Sequence, residues 1–454
     1  VELRGVTEEL EQLTYLNDEV VFFTSLFNYR DDKFDLIAQK VDPKTGKITD
    51  KVTLFEKPID KRRHKGSYDV YLSKNRKRVL VRTYTYYKET DQTIENLLLF
   101  DDKLDLITER EYTEKGNEVN LSSSLLVDDE GSIYFIQSGA VVILDAFNDF
   151  EEWREDLPTD NLTVGSSYNK ITITLNKDLD PVITAYYVTK DLEDQDRKKV
   201  NKSRANRKEG DTQVEGVMFI KINSLDKELE VAKHTEFDDD FIKRFKTEED
   251  IKRNYDPEIE NAVASNRIYS LDNGETLLIG EVVYRLVSQD QNGSVTSISY
   301  FYQDMIMVHF SASGDILWKD RLPKRQRYYW TKAILGYGGS AGYSFLLFPD
   351  GVQQYFYERA IKVGDKVYLT YNDMPENRAG NSYTHELKEF KKGVPVVQTI
   401  DLASGSRNGE IVRSLVKPKF WLKPRSMYAS KLSDDVYYFI TYKKKMHLAR
   451  TSFK

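Results

Sequence analysis

Three stretches of the sequence alternate basic and aromatic side chains. Lys61-Arg62-Arg63-His64 leads toward Tyr68. Arg327-Tyr328-Tyr329-Trp330 continues to Thr331 and Lys332, and Lys419-Phe420-Trp421-Leu422-Lys423-Pro424-Arg425 lies near the C-terminus. Asn266-Arg267-Ile268-Tyr269 is a weaker fourth. Arg paired with Tyr or Trp is the composition that dominates protein–protein hot spots. The same groups suit a carboxylated or sulfated glycan through charge and ring stacking. The competing explanation is packing, with the aromatics wedged between sheets and the lysines and arginines solvated. Lys61, Arg62 and Arg63 are the least easily explained that way. The candidate binding residues are Lys61, Arg62, Arg63, His64, Arg327, Tyr328, Tyr329, Trp330, Trp421 and Arg425.

Other chemistry finds little footing. His64, His234, His309, His385 and His447 are far apart, and no two have metal-ligand spacing. There is no cysteine, hence no thiolate site, cysteine nucleophile or disulfide framework. No zincin, phosphate-loop or serine-elbow motif occurs. The glycines of GYGGSAGY (336–343) precede no Lys-Ser or Lys-Thr, and Asp238–Asp240 lacks the spacing of a calcium loop. No cofactor or metal is expected.

Composition excludes further classes. The 454 residues carry a net charge of -7, which does not fit a general nucleic-acid binder. No run of apolar residues is long enough for a membrane helix. Tyr (30) and Phe (22) make the aromatic fraction 12%, and both favour strands.

The elements that carry these runs follow a repeat. Alternating apolar strands are joined by tight polar turns, and a longer linker follows every three or four strands. A period near 60 residues over the whole chain indicates an all-β propeller, a single domain over 1–454. Seven units can be laid out, starting near Glu11, Tyr68, Glu118, Lys170, Asn266, Ser344 and Ser426. Six or eight remain open because the sixth is ambiguous, its later strands being placed at KVYLTYN, PVVQTID and IVRSLV. The seventh shows only three strands. An outer strand from Glu2–Thr7 is therefore expected to close it, since an open ring leaves an unpaired edge. Turns such as DDEG, DNG and SASGD supply the positive φ of tight hairpins. Long connections gather on one face of such a disc, where function tends to sit. The charged insertion 191–211 reads as mobile, and 238–262 as a short helical insertion ended by Pro257.

The segments SASGDILWKDRL (311–322) and VDPKTGKITDKV (41–52) carry a strand–turn–strand cadence that resembles uncharacterised bacterial β-propellers of the Bacteroidota cell envelope. No WD-repeat or kelch signature recurs. The resemblance implies a propeller in an envelope setting and carries no catalytic residue. The chain begins at Val1 rather than Met, which fits a processed precursor or a trimmed chain, so export is an inference. A lipid-bearing cysteine would lie upstream. The expected function is a noncatalytic scaffold, periplasmic or outer-membrane-associated, with protein partners in an envelope complex. The alternative is a glycan-binding protein, or a propeller hydrolase or lyase whose site is assembled from several blades at the channel mouth.

Overall fold

The computed structural model describes Glu2 to Ser452, apart from scattered single or paired positions and segments 60–63, 117–124, 165–170, 190–205, 210–213, 247–258, 260–262, 290–294, 332–359, 378–384, 389–391, 412–420, 423–427 and 430–434. The chain is all-β, and its described strands make seven antiparallel sheets. The chain divides into two compact units. The first is residues 1–158 with 173–181 and 222–229; the second is 159–172, 182–221 and 230–454.

The first unit holds three four-stranded meanders, the repeat expected of a propeller. Blade one is Val6–Leu16, Glu19–Asn28, Lys33–Val41 and Ile48–Pro58. Blade two is Ser67–Leu72, Arg78–Tyr87, Gln92–Asp101 and Leu106–Lys115, and blade three is Leu126–Val127, Ser132–Gln137, Ala140–Asp145 and Glu151–Asp156. Middle strands such as EVVFFTSLFN and AVVILD are apolar on both faces, as a strand covered on both sides requires. Fourth strands such as LITEREYTEK and EEWRED are rich in charge, which protects a solvent edge from further pairing. Val21, Phe23, Leu36 and Ala38 of blade one pack with Val79, Val81, Leu98 and Phe100 of blade two. The opposite face of blade two, with Leu80, Leu97 and Leu99, packs on Ile133, Phe135, Val142 and Leu144 of blade three.

The turns share one device. The Asp128 carboxylate accepts the Glu130 and Ser132 amides at 2.9 and 2.8 Å, and the Asp101 carboxylate accepts those of Lys103 and Asp105, both at 2.9 Å. Asn176 repeats the pattern on Asp178 and Asp180. An Asx side chain closing its own turn is the reason Asp and Asn recur at these positions.

In the second unit, blade four, with strands Pro181–Thr189, Gly216–Asn223 and Glu228–Glu236, and blade five, built on Thr276–Gln289 and Val295–Phe310, enclose Phe219, Tyr186, Leu278, Val308 and Phe310. Blades five and six enclose Leu277, Ile279, Met305, Met307, Val367, Leu369 and Val396. Gly314 has φ +81°, and a Cβ there would lie 2.5 Å from the Phe219 ring, so this turn needs glycine for both conformation and space. Blade six is Ala360–Val363, Lys366–Asp373, Val394–Asp401 and Arg407–Ile411.

The structure departs from the sequence expectation in several places. Val6–Leu16 pairs along the length of Glu19–Asn28, and Glu2–Leu3 turns back onto Val6 and Thr7. The N-terminus thus extends blade one. The last sheet has Trp421–Leu422 and Tyr428–Ala429 on one side of Asp435–Tyr442 and Lys445–Ser452 on the other, with no N-terminal strand among the described residues. Within the charged insertion, Asn206–Glu209 is a strand paired to Arg285–Ser288; its partner is remote in sequence and leaves no local trace. The helical insertion contains one described turn, Asp239–Lys243. Asp238 caps it, its Oδ1 accepting the Phe241 amide at 2.8 Å. The fourth strand of blade six is described as Arg407–Ile411, which takes in the first residue of IVRSLV; 412–416 lie outside the described residues. Alternation in RNGEI suits a solvent edge and is weak as a sequence signal.

Candidate functional site

Blade five is built on two strands of unusual length, Thr276–Gln289 and Val295–Phe310. At about 3.3 Å per residue the longer spans roughly 50 Å. Their lower halves pair with Val263–Ser270 and Ile316–Leu322 and complete a four-stranded blade. Their upper halves continue past it and gain two further strands, Asn206–Glu209 beside the first and Gln326–Thr331 beside the second. The result is a second storey. The storeys meet where the register shifts between Glu281 and Val283, a bulge in the long pair.

The joint is charged and closed. Lys324 lies between the lower and upper outer strands, and its ammonium is bonded to Glu281; both side chains are 0% exposed. The Lys324 amide donates to Asp304 Oδ1 at 3.1 Å, and Arg321 holds Asp304 Oδ2 at 2.8 Å. Asp373, at the end of blade six's second strand, completes the cluster. Its Oδ1 accepts the Met374 amide and the Asn377 side-chain amide, each at 2.8 Å. Glu281 Oε2 and Asp373 Oδ2 have no partner among the described residues. Burial pushes the Lys324 ammonium well below its ordinary value, against the pull of Asp373. Burial likewise raises Asp304, opposed by Arg321. Asp373 is pushed up to about 6 by burial, which the two amide bonds and Lys324 oppose. These groups are out of a substrate's reach, and the cluster braces blade five against blade six.

That brace has a pH signature. A carboxyl whose folded pKa exceeds its unfolded value holds its proton more tightly when folded. Its contribution is therefore present below about 3.8 and lost as pH rises through about 6. The magnitude is on the order of 2–3 kcal/mol. Asp373→Asn is expected to remove this slope, so the variant gains on the wild type between pH 4 and 7 in denaturant titrations. A difference that stays flat over that range contradicts the assignment.

In the upper storey Phe301 and Ser299 are also buried, at 8% and 5% exposure, while Tyr284, Leu286 and Arg327 are half-buried. Registers place Tyr284 opposite Phe301 and Phe301 opposite Arg327, with Leu286, Ser299 and Tyr329 forming the next row on the same face. The Tyr284 and Phe301 rings stack at 4.4 Å with a 6° interplanar angle. The Arg327 guanidinium lies 5.1 Å from the Phe301 centroid and 6.0 Å from that of Tyr329, and it donates to Ser299 Oγ at 3.2 Å. Tyr329 is 53% exposed. On the other face, Val283, Val287, Ile298, Tyr300 and Tyr302 are buried, which anchors the platform.

Of the residues singled out from sequence, the structure thus joins Arg327 and Tyr329 with Tyr284 and Phe301. Arg327–Trp330 lies in a strand, in keeping with the β-propensity of consecutive Tyr and Trp. Tyr328 and Trp330 occupy the alternate positions, opposite Tyr300 and Ile298. His64 is withdrawn from the candidate surface: it is 2% exposed, 3.0 Å from the Glu89 carboxylate and 4.8 Å from the Tyr87 ring centroid. Lys61, Arg62, Arg63 and Arg425 lie outside the described residues. Trp421 pairs with Thr441 in the last sheet. Tyr284 and Phe301 escape a reading of the sequence because each looks like an ordinary strand residue; the length of the two strands is the available signal.

Elsewhere in the second unit, a shallow polar cleft of about 350 Å³ is lined by Trp318, Lys319, Asp320 and Ser404–Arg407. Asp320 receives both Arg244 and Arg407 there. Among the described residues, no group of three His, Asp or Glu is placed to hold a metal ion.

No family model matches the chain, and no curated protein matches it. Among solved structures it is similar to the β-propeller domain of the trilobed protease from Pyrococcus furiosus, at 9% identity over 98% of this chain and 92% of that one, with a TM-score of 0.40. It is similar to the polysaccharide lyase Uly1 at 10% identity, covering 98% and 90%, with a TM-score of 0.41. It is also similar to virginiamycin B lyase from Staphylococcus aureus at 9% identity, covering 95% and 94%, with a TM-score of 0.31.

Proposed function

We propose that this chain is a noncatalytic interaction protein, a subunit of a bacterial cell-envelope complex, that receives its partner on the upper storey of blade five. The observation that carries the reading is the row Tyr284–Phe301–Arg327, with Tyr329 beside it, on a sheet extended beyond its blade. A rigid strand platform presenting Tyr and a ring-stacked Arg has the composition of a binding hot spot. Its side chains are held in place before binding, which lowers the ordering cost of association. The envelope setting, periplasmic or outer-membrane-associated, is supported by the cadence of SASGDILWKDRL and its resemblance to envelope propellers. No helix among the described residues is long and apolar enough to cross a membrane.

The test is capture from detergent-solubilised membranes of the source organism, with the tagged wild type beside Tyr329→Ala. Tyr329 is half-exposed, so its truncation should leave the melting temperature unchanged. A hot-spot loss of about 2 kcal/mol corresponds to roughly 30-fold weaker binding. The wild type is expected to retain a stoichiometric partner that Tyr329→Ala loses. Equal recovery by the two proteins contradicts the reading.

A further inference from the structure

Arg327 differs from the cations around it. Lys319, Arg321, Lys324 and Arg325 each face a carboxylate. Arg327, two residues on, faces none among the described residues. Its side-chain contacts are the Ser299 hydroxyl and the two aromatic rings, and its Nε is buried with no acceptor. Ring stacking fixes the plane of a guanidinium and leaves its charge intact. The buried Nε is out of a partner's reach, so a carboxylate would meet the guanidinium through its terminal nitrogens, whose planar fork suits a two-pronged bond.

We infer that the partner places a carboxylate on Arg327, and that it does so from an acidic, extended peptide segment laid along the Gln326–Thr331 strand. The inference rests on the proposed interaction role and adds the chemistry of the occupant.

Three observations favour a peptide. First, the edge of this strand already accepts an extended segment of the chain itself: the Arg327 amide donates to the Leu387 carbonyl at 2.9 Å, and the Leu387 amide donates to the Arg325 carbonyl at 3.0 Å. A partner's extended segment can pair with a strand edge in the same way, through main-chain hydrogen bonds. Second, the face is not uniformly polar. Leu286 stands in the row next to Tyr284 and Phe301, and it suits an aliphatic side chain better than a sugar hydroxyl. Third, the charge is uneven along the edge. The Glu386 carboxylate lies 3.8 Å from Arg325 and 3.5 Å from Lys388, so that end already has its acid, and Arg327 is left as the open cation.

The probes are a short synthetic peptide alternating glutamate and valine, and polygalacturonate as the glycan arm. Both are titrated onto the full chain at low and high salt. The peptide is expected to bind saturably, more weakly at high salt, and about tenfold or more weakly to Arg327→Gln at an unchanged melting temperature. Arg327→Lys is expected to recover only part of the loss, because an ammonium lacks the planar fork. Equal binding by the wild type and Arg327→Gln overturns the inference, as does no binding of the peptide. Arg327-dependent binding of polygalacturonate without the peptide overturns it in favour of a glycan. The partner capture above separates the two levels. If Tyr329→Ala loses the partner while Arg327→Gln keeps it, the carboxylate inference fails and the interaction role stands. If neither variant affects capture, the role itself fails.

Discussion

Glu281→Leu is expected to destabilise the protein by about 3–5 kcal/mol, because it strands the Lys324 ammonium in a fully buried site. Both side chains are 0% exposed, so neither can turn outward to recover hydration. Asp373 also acts on Lys324, but its described bonds are to the Met374 and Asn377 amides, while Glu281 is the carboxylate bonded to the ammonium. The double variant Glu281→Leu/Lys324→Met removes both charges and fills similar volume. Its stability is expected to return to within about 1–2 kcal/mol of the wild type, since a buried ion pair seldom exceeds a well-packed apolar pair in net worth. Chemical denaturation of the two single variants and the double one reads this directly. A double variant no more stable than Glu281→Leu would show that the pair acts through something other than mutual neutralisation.

The second large effect is in the first unit. Arg82 and Glu95 are bonded side chain to side chain in blade two, with side chains 2% and 1% exposed. Arg82 also lies 3.7 Å from Asp69 and 5.2 Å from the Tyr84 ring centroid. Arg82→Met removes the guanidinium bonded to the buried Glu95, for an expected loss of about 3–5 kcal/mol at neutral pH. Here the loss should depend on pH. Burial raises Asp69 and Arg82 opposes it; burial also takes Tyr71 up to about 12, again against Arg82. Without Arg82 the Asp69 carboxyl of the folded variant holds its proton more tightly, so the variant should regain stability relative to the wild type as pH falls toward 4. A loss that is the same at pH 4 and pH 7 would mean that packing, and not the stranded carboxylate, sets its size.

The meanders of the first three blades are readable from sequence because each middle strand is apolar on both faces and several turns carry their own Asx residue. AVVILD followed by a turn and EEWRED could hardly be anything else. The second storey is hidden by distance. Nothing near Asn206–Glu209 or Gln326–Thr331 announces that each pairs with a strand of blade five. The run Arg327–Trp330 stands out for its chemistry, while its three consecutive aromatics show no two-residue alternation to mark a strand. Lys324, Glu281 and Asp373 lie on separate elements with no shared local pattern, so only the folded arrangement brings them together. His64 shows the reverse case: a basic loop suggests exposure, and contact with Glu89 and Tyr87 buries the ring.

Where the partner sits is read by hydrogen–deuterium exchange of the chain with and without the partner it captures. Binding on the upper storey predicts slowed exchange in peptides covering 295–302 and 326–331, with the lower strands of blade five unchanged. Protection confined to other segments, with 326–331 exchanging as in the free chain, would contradict this placement.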